Sequence, residues 1–469
     1  MILVADGARP DTLAAAMDRG ELPALARLRS EGGLHTVTSV FPTVTGPAYT
    51  PFLMGRFPGP VGLPGIRWYD RDRTRTRWPD WSRSYVGFDM RAVDCDIDPA
   101  APTIFELASS RLAALSVIER GLTRGEKMAR GLGFVARAAV THFSGNVRGW
   151  LDIDHRISAR FATRVASERP QFAFCALTGI DKASHSEGHD APVVRDAMRI
   201  VDHAAARIRA DAERDGRWKA MHLWIASDHG HSPVRAHEDL AGLLRSWKVG
   251  VRAHPLTLGL GHDAAVMVSG NAMAHISLSL ELLARPFWPA LSARWDWLAT
   301  RLLERESTDL ILLPLDANTT EVRSRTRGRA RISMRGGRYS YRPETGDPLR
   351  LGRLHELTAD QAHAATADSD YPDALVQVAQ LTASPRCGDL LISAAREWDL
   401  RAKWEPIPHV SSHGALHREH MMVPLLVNRP AARVPRRTAD VFAAAVMALG
   451  LPVPANLDGA SWLAEDQGR

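Results

Sequence analysis

The chain has 469 residues, 45% hydrophobic and 24% charged, with a net charge of +6, a composition ordinary for a globular protein of about three domain-sized units or one large α/β domain with insertions. Three cysteines, an odd number with no CxxC pair, argue against a disulfide framework and for a reducing compartment, and no stretch approaches the roughly 18 apolar residues of a membrane-spanning helix. The mildly basic balance fits a bland Arg-rich surface as readily as an anionic ligand.

Ile2-Leu-Val-Ala5 reads as a short buried strand with no leader before it, so a cytoplasmic protein is expected, or a periplasmic one if the true start lies upstream. Asp6-Gly-Ala-Arg-Pro10 is a turn, and Asp11 is the predicted N-cap of a helix running towards Arg19. His35 to Val40 alternates with β-branched residues and predicts a strand. A helix is expected over 104–113 and a strand over 114–118. Residues 119–150, rich in Gly and Arg, read as a flexible flap. Phe172 to Leu177 is a core strand holding Cys175, 191–213 a long amphipathic helix, and Met221 to Ala226 a further strand. Strands alternating with helices in this way imply a parallel sheet covered on both faces. Residues 250–345 differ, with short strand-like pieces and a hairpin, 329–335 and 338–342, turning at Gly336-Gly337. Its arginines line one face, which fits a solvated surface better than a nucleic-acid site because aromatic interleaving stops at Tyr339 and Tyr341. Strand character returns at 388–393 and 421–427, and Thr438 or Asp440 caps a last helix over 441–449.

Ligands of open parallel sheets gather beyond the carboxyl ends of the strands. Asp6, Asp181 and Asp228 each follow an apolar run at such an end. Asp181 and His185 are four apart, a spacing that can bring both to one ion, and adjacent Asp228 and His229 can converge only at a strand-end turn. Mixed carboxylate and imidazole donors suit zinc-type ions. Taken singly each signal is weak. An Asp after a strand is commonly a helix N-cap, His229 and His231 fit a surface loop, and His413 competes with His409, His417 and His420. Thr45 is the candidate nucleophile: a hydroxyl at a helix start lies where phosphate is favoured, but it reacts only when a base or metal takes its proton. It serves equally well as a plain N-cap, with Thr43 and Thr50 as lesser candidates.

The segments Asp6-Gly-Ala-Arg-Pro-Asp11, Phe41-Pro-Thr-Val-Thr45, Asp181 to His185, Ser227-Asp-His-Gly230, Ser412-His-Gly414 and Gly450-Leu-Pro-Val-Pro454 with Leu457-Asp-Gly459 together resemble the nucleotide pyrophosphatase/phosphodiesterase branch of the alkaline phosphatase superfamily. The resemblance spans essentially the whole chain. It implies an α/β/α sandwich with a mostly parallel central sheet and an inserted α+β region. The expected division is a core of 1–250 and 346–469 around an insert of 251–345. It further implies two divalent ions, zinc by preference. Asp181, His185 and His413 would hold one; Asp6, Asp228, His229 and the Thr45 oxygen would hold the other. Thr45 would form a covalent phospho-threonine intermediate that water then opens.

This chain departs from the family in one place: Asn is frequent three residues past the nucleophile, and here that position is Ala48. Gly46 N–H, Arg67 and Tyr69 are candidate replacement donors to a substrate phosphate, and Pro51 is expected to kink or end the helix after Thr45. The expected activity is metal-dependent hydrolysis of small phosphate diesters or nucleotide pyrophosphates. A phosphomonoesterase or phosphonate hydrolase is the alternative within the superfamily, and a sulfatase is disfavoured because Thr45-Gly-Pro47 lacks the following Arg. A basic binding protein with a non-catalytic metal site is the alternative of another class, although closed structural zinc sites use four Cys/His ligands. Nucleic acid is not an expected partner, and the sequence gives no oligomeric state.

Overall fold

The computed structural model describes residues 1–71, 82–85, 88–254, 263–401 and 409–464. Ile2–Ala5, buried at all four positions, lies inside a seven-stranded sheet, where a strand covered on both faces must be apolar throughout. Phe172–Leu177 pairs with it in parallel on one side and Trp224–Ala226 on the other. Arg111–Ala114 and Lys127–Met128 continue the sheet beyond Phe172–Leu177, again in parallel. On the other flank Met422–Val427 runs antiparallel to Trp224–Ala226, and Gly33–Thr38 antiparallel to Met422–Val427. One strand of seven therefore opposes the rest, which gives the mostly parallel sheet expected.

Side-chain alternation along each strand feeds two cores. Val4, Phe174, Trp224 and Leu425 pack with Phe442 of the helix Asp440–Ala448 on one face. Leu3, Cys175, Ile225 and Leu426 pack on the other face, against Phe161 of Val147–Glu168 and Val201 of Pro192–Arg214. Pro192–Arg214 buries Val194, Ala197, Met198, Val201, Ala205 and Ile208, the stripe its 3.6-residue period predicts. The layers are helix, sheet, helix.

A second sheet of nine strands runs from Val251–Ala253 to Leu354–Leu357. Its strand Leu390–Ala394 comes from beyond residue 345 and lies between Met273–Leu278 and Thr308–Pro314. The hairpin forms as read: Arg335 pairs with Arg338 across Gly336 and Gly337, whose φ angles of 56° and 73° are those of a two-residue turn open to glycine. Three of its arginines share one carboxylate, Arg329, Arg331 and Arg342 lying 3.6, 2.8 and 3.1 Å from Glu344.

Several local expectations are corrected. The helix expected over 104–113 is a single turn, Ile104–Leu107, opened by a capping box between Thr103 and Glu106, and the strand that follows is Arg111–Ala114 rather than 114–118. Asp11 is not the N-cap: Arg9 holds that position, Pro10 opens the helix Pro10–Asp18, and the Asp11 carboxylate accepts Thr12 N–H at 2.8 Å and is bound to the Arg9 guanidinium at 2.6 Å. Residues 119–150 hold Lys127–Met128, the helix Leu132–Phe143 and the start of Val147–Glu168. Asp440 heads the last helix, but its carboxylate accepts N–H from Arg436 at 2.9 Å and Ala460 at 2.8 Å. All three cysteines are free thiols, and among the described residues no helix is long and apolar enough to cross a membrane.

Candidate active site

Strand register brings the candidate residues together. Ala5 lies opposite Leu177 and Val4 opposite Ala226, so three parallel strands end side by side. The chain leaves this edge at Asp6, at the helix Gly179–Glu187 that carries Asp181 and His185, and at Asp228-His229. Gly33–Thr38, parallel to them, delivers the loop with Thr45. Met422–Val427 runs the other way, so its beginning meets the same edge, and the segment leading into it carries His413. Two glycines let these turns touch. At Gly7, with φ of +76°, a Cβ would stand 2.9 Å from His231 Nε2, and at Gly230 one would stand 2.2 Å from the Glu419 carbonyl oxygen. Thr43 ties the Thr45 loop to the His413 loop, its Oγ accepting from Gly414 N–H at 3.0 Å and donating to Ala415 O at 3.1 Å. Thr50 Oγ donates to Pro47 O at 2.9 Å. Both lesser candidates are thus structural.

Thr45 Oγ lies 3.4 Å from each Asp6 carboxylate oxygen and 3.3 Å from His229 Nε2. His229 Nε2 lies 3.4 Å from Asp6 Oδ1 and 3.6 Å from Asp228 Oδ2. Asp181 Oδ1 lies 3.1 Å from His185 Nε2 and 3.5 Å from His413 Nε2. The His229 and His413 rings stack at 3.6 Å, 8° from parallel.

Hydrogen-bond direction decides what this cluster is. The Nδ1 atoms of His185, His413 and His229 face the carbonyl oxygens of Ser411, Thr43 and Gly230 at 2.9, 2.8 and 3.2 Å. A carbonyl only accepts, so each Nδ1 donates and each neutral ring keeps its lone pair on Nε2. Those lone pairs point at carboxylate oxygens, which are acceptors too, and Asp228 Oδ2 is buried with no hydrogen-bond partner. Acceptors facing acceptors out of water are stable only around a cation. Asp6, Asp228 and His229 form one buried group whose ligand atoms lie within 4.8 Å of one another; Asp181, His229, His231 and His413 form another. The residues fit divalent metal, with a carboxylate and imidazole chemistry of zinc type.

The charges agree. Burial, with the charges of Asp228 and Asp181 beside it, pushes the Asp6 carboxyl well above the usual range. Burial acts the same way on Asp181, but the charge of Lys182, whose Nζ lies 2.8 Å from Asp181 Oδ2, leads the influences that outweigh it and hold that carboxyl well below the usual range. Burial, then the neighbouring His229, holds His413 well below an ordinary imidazole, in the neutral form that binds metal.

All seven residues expected at the metal site meet at this edge. Thr45 is not an N-cap: Gly46, with φ of 98°, holds that position before the short turn Pro47–Tyr49 and the five-residue helix Thr50–Met54. The helix expected to start at Thr45 is therefore too short to add much dipole, with Pro47 and Pro51 dividing it. Ala48 is fully buried in an apolar cluster with Val40, Phe41 and Met273, so its position offers no donor. Arg67 reaches Ser84 Oγ at 3.4 Å and Val268 O at 3.5 Å, and Tyr69 packs with Ala265, Met267 and Leu280; these contacts lead to the second sheet. Two residues at the site escaped the sequence reading. His231 is fully buried with Nε2 3.0 Å from Asp181 Oδ1, and Lys182 Nζ lies 2.8 Å from Asp181 Oδ2 with its side chain 32% exposed. His231 follows His229 by two, the one signal available; Lys182 lay inside the Asp181–His185 segment and reads by default as solvated. A cavity of about 250 Å³ opens among Met1, Phe172 and Trp224, at the starts of the strands, and holds none of this chemistry.

Residues 1–279 match the family described as type I phosphodiesterase/nucleotide pyrophosphatase. Among solved structures, phosphonoacetate hydrolase from Sinorhizobium meliloti in complex with phosphonoacetate is similar with a TM-score of 0.57 at 17% identity, over 96% of this chain and 95% of that one. Human ectonucleotide pyrophosphatase/phosphodiesterase 5 is similar with a TM-score of 0.58 at 14% identity, over 99% of this chain and 98% of that one. The inactive murine form of the latter, in complex with AMP, gives 0.56 at 15%, over 99% and 98%. No curated protein matches by sequence. At such identities these structures share the fold, the alkaline phosphatase-like sandwich expected.

Proposed function

The chain belongs to the type I phosphodiesterase/nucleotide pyrophosphatase family, a family of phosphoester hydrolases, and from that premise we propose that it cleaves phosphate diesters or nucleotide pyrophosphate bonds with Thr45 as nucleophile. The observation that carries the reading is the Thr45 hydroxyl, 3.3 Å from His229 Nε2 and 3.4 Å from the Asp6 carboxylate, beside a cluster of acceptors that wants a cation. Asp181, His185 and His413 would hold one divalent ion, and Asp6, Asp228 and His229, with Thr45, a second. Ions of the zinc class, when bound, would supply Lewis acidity and make a hydroxyl reactive at neutral pH. Thr45 Oγ forms a bond to phosphorus as the leaving oxygen departs, and water then opens the phospho-threonine and restores the hydroxyl. Lys182 adds a positive charge on the exposed side, where an anionic ester arrives. Gly46 N–H is the proposed donor to a phosphate oxygen in place of the Asn that Ala48 replaces. The apolar burial of Ala48 also sustains a second reading, a monoester or phosphonate hydrolase.

The test is turnover of zinc-loaded protein on a nitrophenyl phosphodiester and its monoester, with T45A alongside. We expect a diester preference, and a loss in T45A of at least about a thousandfold in kcat, with both ions retained. An active T45A protein would remove Thr45 from the chemistry, and a monoester preference would select the second reading.

A further inference from the structure

His231 lies outside the seven residues assigned above, yet its Nε2 is nearer to Asp181 Oδ1, at 3.0 Å, than that of His185 at 3.1 Å or His413 at 3.5 Å. Its Nδ1 is 3.2 Å from Ser411 Oγ, and that hydroxyl gives its single proton to Ser232 O at 2.9 Å. Ser411 Oγ therefore has only lone pairs to offer, and His231 Nδ1 must be the donor between them. The neutral ring then aims the lone pair of Nε2 at a carboxylate oxygen. Two acceptors held that close in a buried site repel unless a cation lies between them. The ring is fixed in place: Gly7 packs so closely that a Cβ would stand 2.9 Å from Nε2 and 3.0 Å from Cδ2, and Arg9 Nη1 holds the His231 carbonyl at 2.5 Å. His231 also belongs to the buried group in which one ligand atom from each residue, with Asp181, His229 and His413, lies within 4.8 Å of the others.

We propose that His231 is a ligand of the ion on Asp181, an assignment that rests on the two-ion reading above. One carboxylate and three imidazoles, those of His185, His231 and His413, then surround that ion. The other has two carboxylates, His229 and Thr45. The two positions differ in charge as a result: a divalent ion on Asp181 keeps one formal positive charge, and its partner is neutralised by Asp6 and Asp228. The imidazole-rich position selects zinc-class metals over magnesium or calcium, and it leaves fewer places for water than three protein ligands do.

The test is zinc affinity and stoichiometry by competition with a chromophoric chelator, for the wild type, H231A and H231Q. Glutamine can donate N–H to Asp181, as a merely orienting imidazole would, but lacks the imidazole lone pair. We expect the wild type to take up two ions, and both variants to hold one ion unchanged and the other at least about a hundredfold more weakly. Wild-type affinity for both ions in H231Q would overturn the assignment. A second measurement needs no variant: with 15N-labelled histidine and cadmium-113 in the wild-type protein, His231 Nε2 should show direct coupling to the metal, and its absence overturns the assignment. A wild type that binds no ion would defeat the proposed function as well, whereas two tight ions in H231Q, with diester turnover intact, defeat the His231 assignment alone.

Discussion

Lys182 stands next in sequence to Asp181 and beside it in space, so one flexible cation offsets a buried carboxylate while a third of its side chain meets solvent. With Ala48 buried among apolar neighbours, the proposed role of Lys182 is to receive a phosphate oxygen. K182M should raise KM for an anionic diester roughly tenfold or more, the worth of a hydrogen bond to a charged group, with the effect shrinking as salt is added. An unchanged KM would refute this role. Single residues were legible in proportion to how local their geometry is. Asp6, Asp181 and Asp228 could be read because each closes an apolar run. Thr45 could not be separated from an N-cap until Gly46 was seen to hold that position. His231 was illegible because the groove that holds it is made by Gly7, far away in sequence.

At the scale of elements, the helix Gly179–Glu187 has no side-chain cap of its own. Asp154, on the neighbouring helix Val147–Glu168, supplies one, its Oδ2 accepting Gly179 N–H at 2.5 Å. Gly179 leaves the room for it, since a Cβ there would stand 2.8 Å from that oxygen. Asp154 Oδ1 is buried with no hydrogen-bond partner, and burial pushes the carboxyl up to about 7. A carboxyl raised in the fold stabilises most below its unfolded value and loses that contribution as pH rises through the folded one. The window here runs from about 4 to 7. D154N keeps an acceptor oxygen and cannot ionise. The unfolding free energy of the wild type minus that of D154N should therefore fall by about 2 kcal/mol between pH 5 and pH 7, as read by denaturant titration. Parallel pH curves would contradict the assignment. A cap borrowed from another helix leaves no sequence signature, whereas the box at Thr103 and Glu106 has one in its spacing, and it fixes the start of the helix there.

The molecule buries imidazoles in its second sheet and at the candidate site. Burial pushes His231 down to about 3 and His275 and His409 to about 4, and it holds His413 and His420 well below the ordinary 6.5. His275 shows why: Nε2 faces Pro64 O at 2.9 Å and Nδ1 accepts Gly388 N–H at 3.1 Å, so a second ring proton has nowhere to go. The unfolded chain protonates these rings near 6.5 and the folded one does not, so their stabilisation is full above that value and is lost as pH falls towards 4. Asp6, Asp94, Asp154, Asp202, Asp389 and Asp458 act in the opposite sense, but more imidazoles are held low, His35, His142, His189 and His363 among them. The metal-free protein should therefore melt at a lower temperature at pH 5 than at pH 7.5, and bound zinc should widen the gap because protons compete for the same nitrogens. A Tm that is flat or rises on acidification would count against this. The sandwich itself was legible from alternating strands and helices. Periodicity marks a strand without naming its neighbours, so Leu390–Ala394 could not be assigned to the second sheet before it was seen there.

The strand that runs against the others has a consequence for how the protein is made. Met422–Val427 fills the place between Gly33–Thr38 and Trp224–Ala226, and the segment leading into it carries His413. A chain still emerging from the ribosome has Asp6 to His229 early, yet it keeps two sheet edges open and lacks the imidazole of His413 until residues 413–427 are synthesised. Edges of that kind invite pairing with other chains. Closure of the central sheet and completion of the candidate site thus wait on the same late segment.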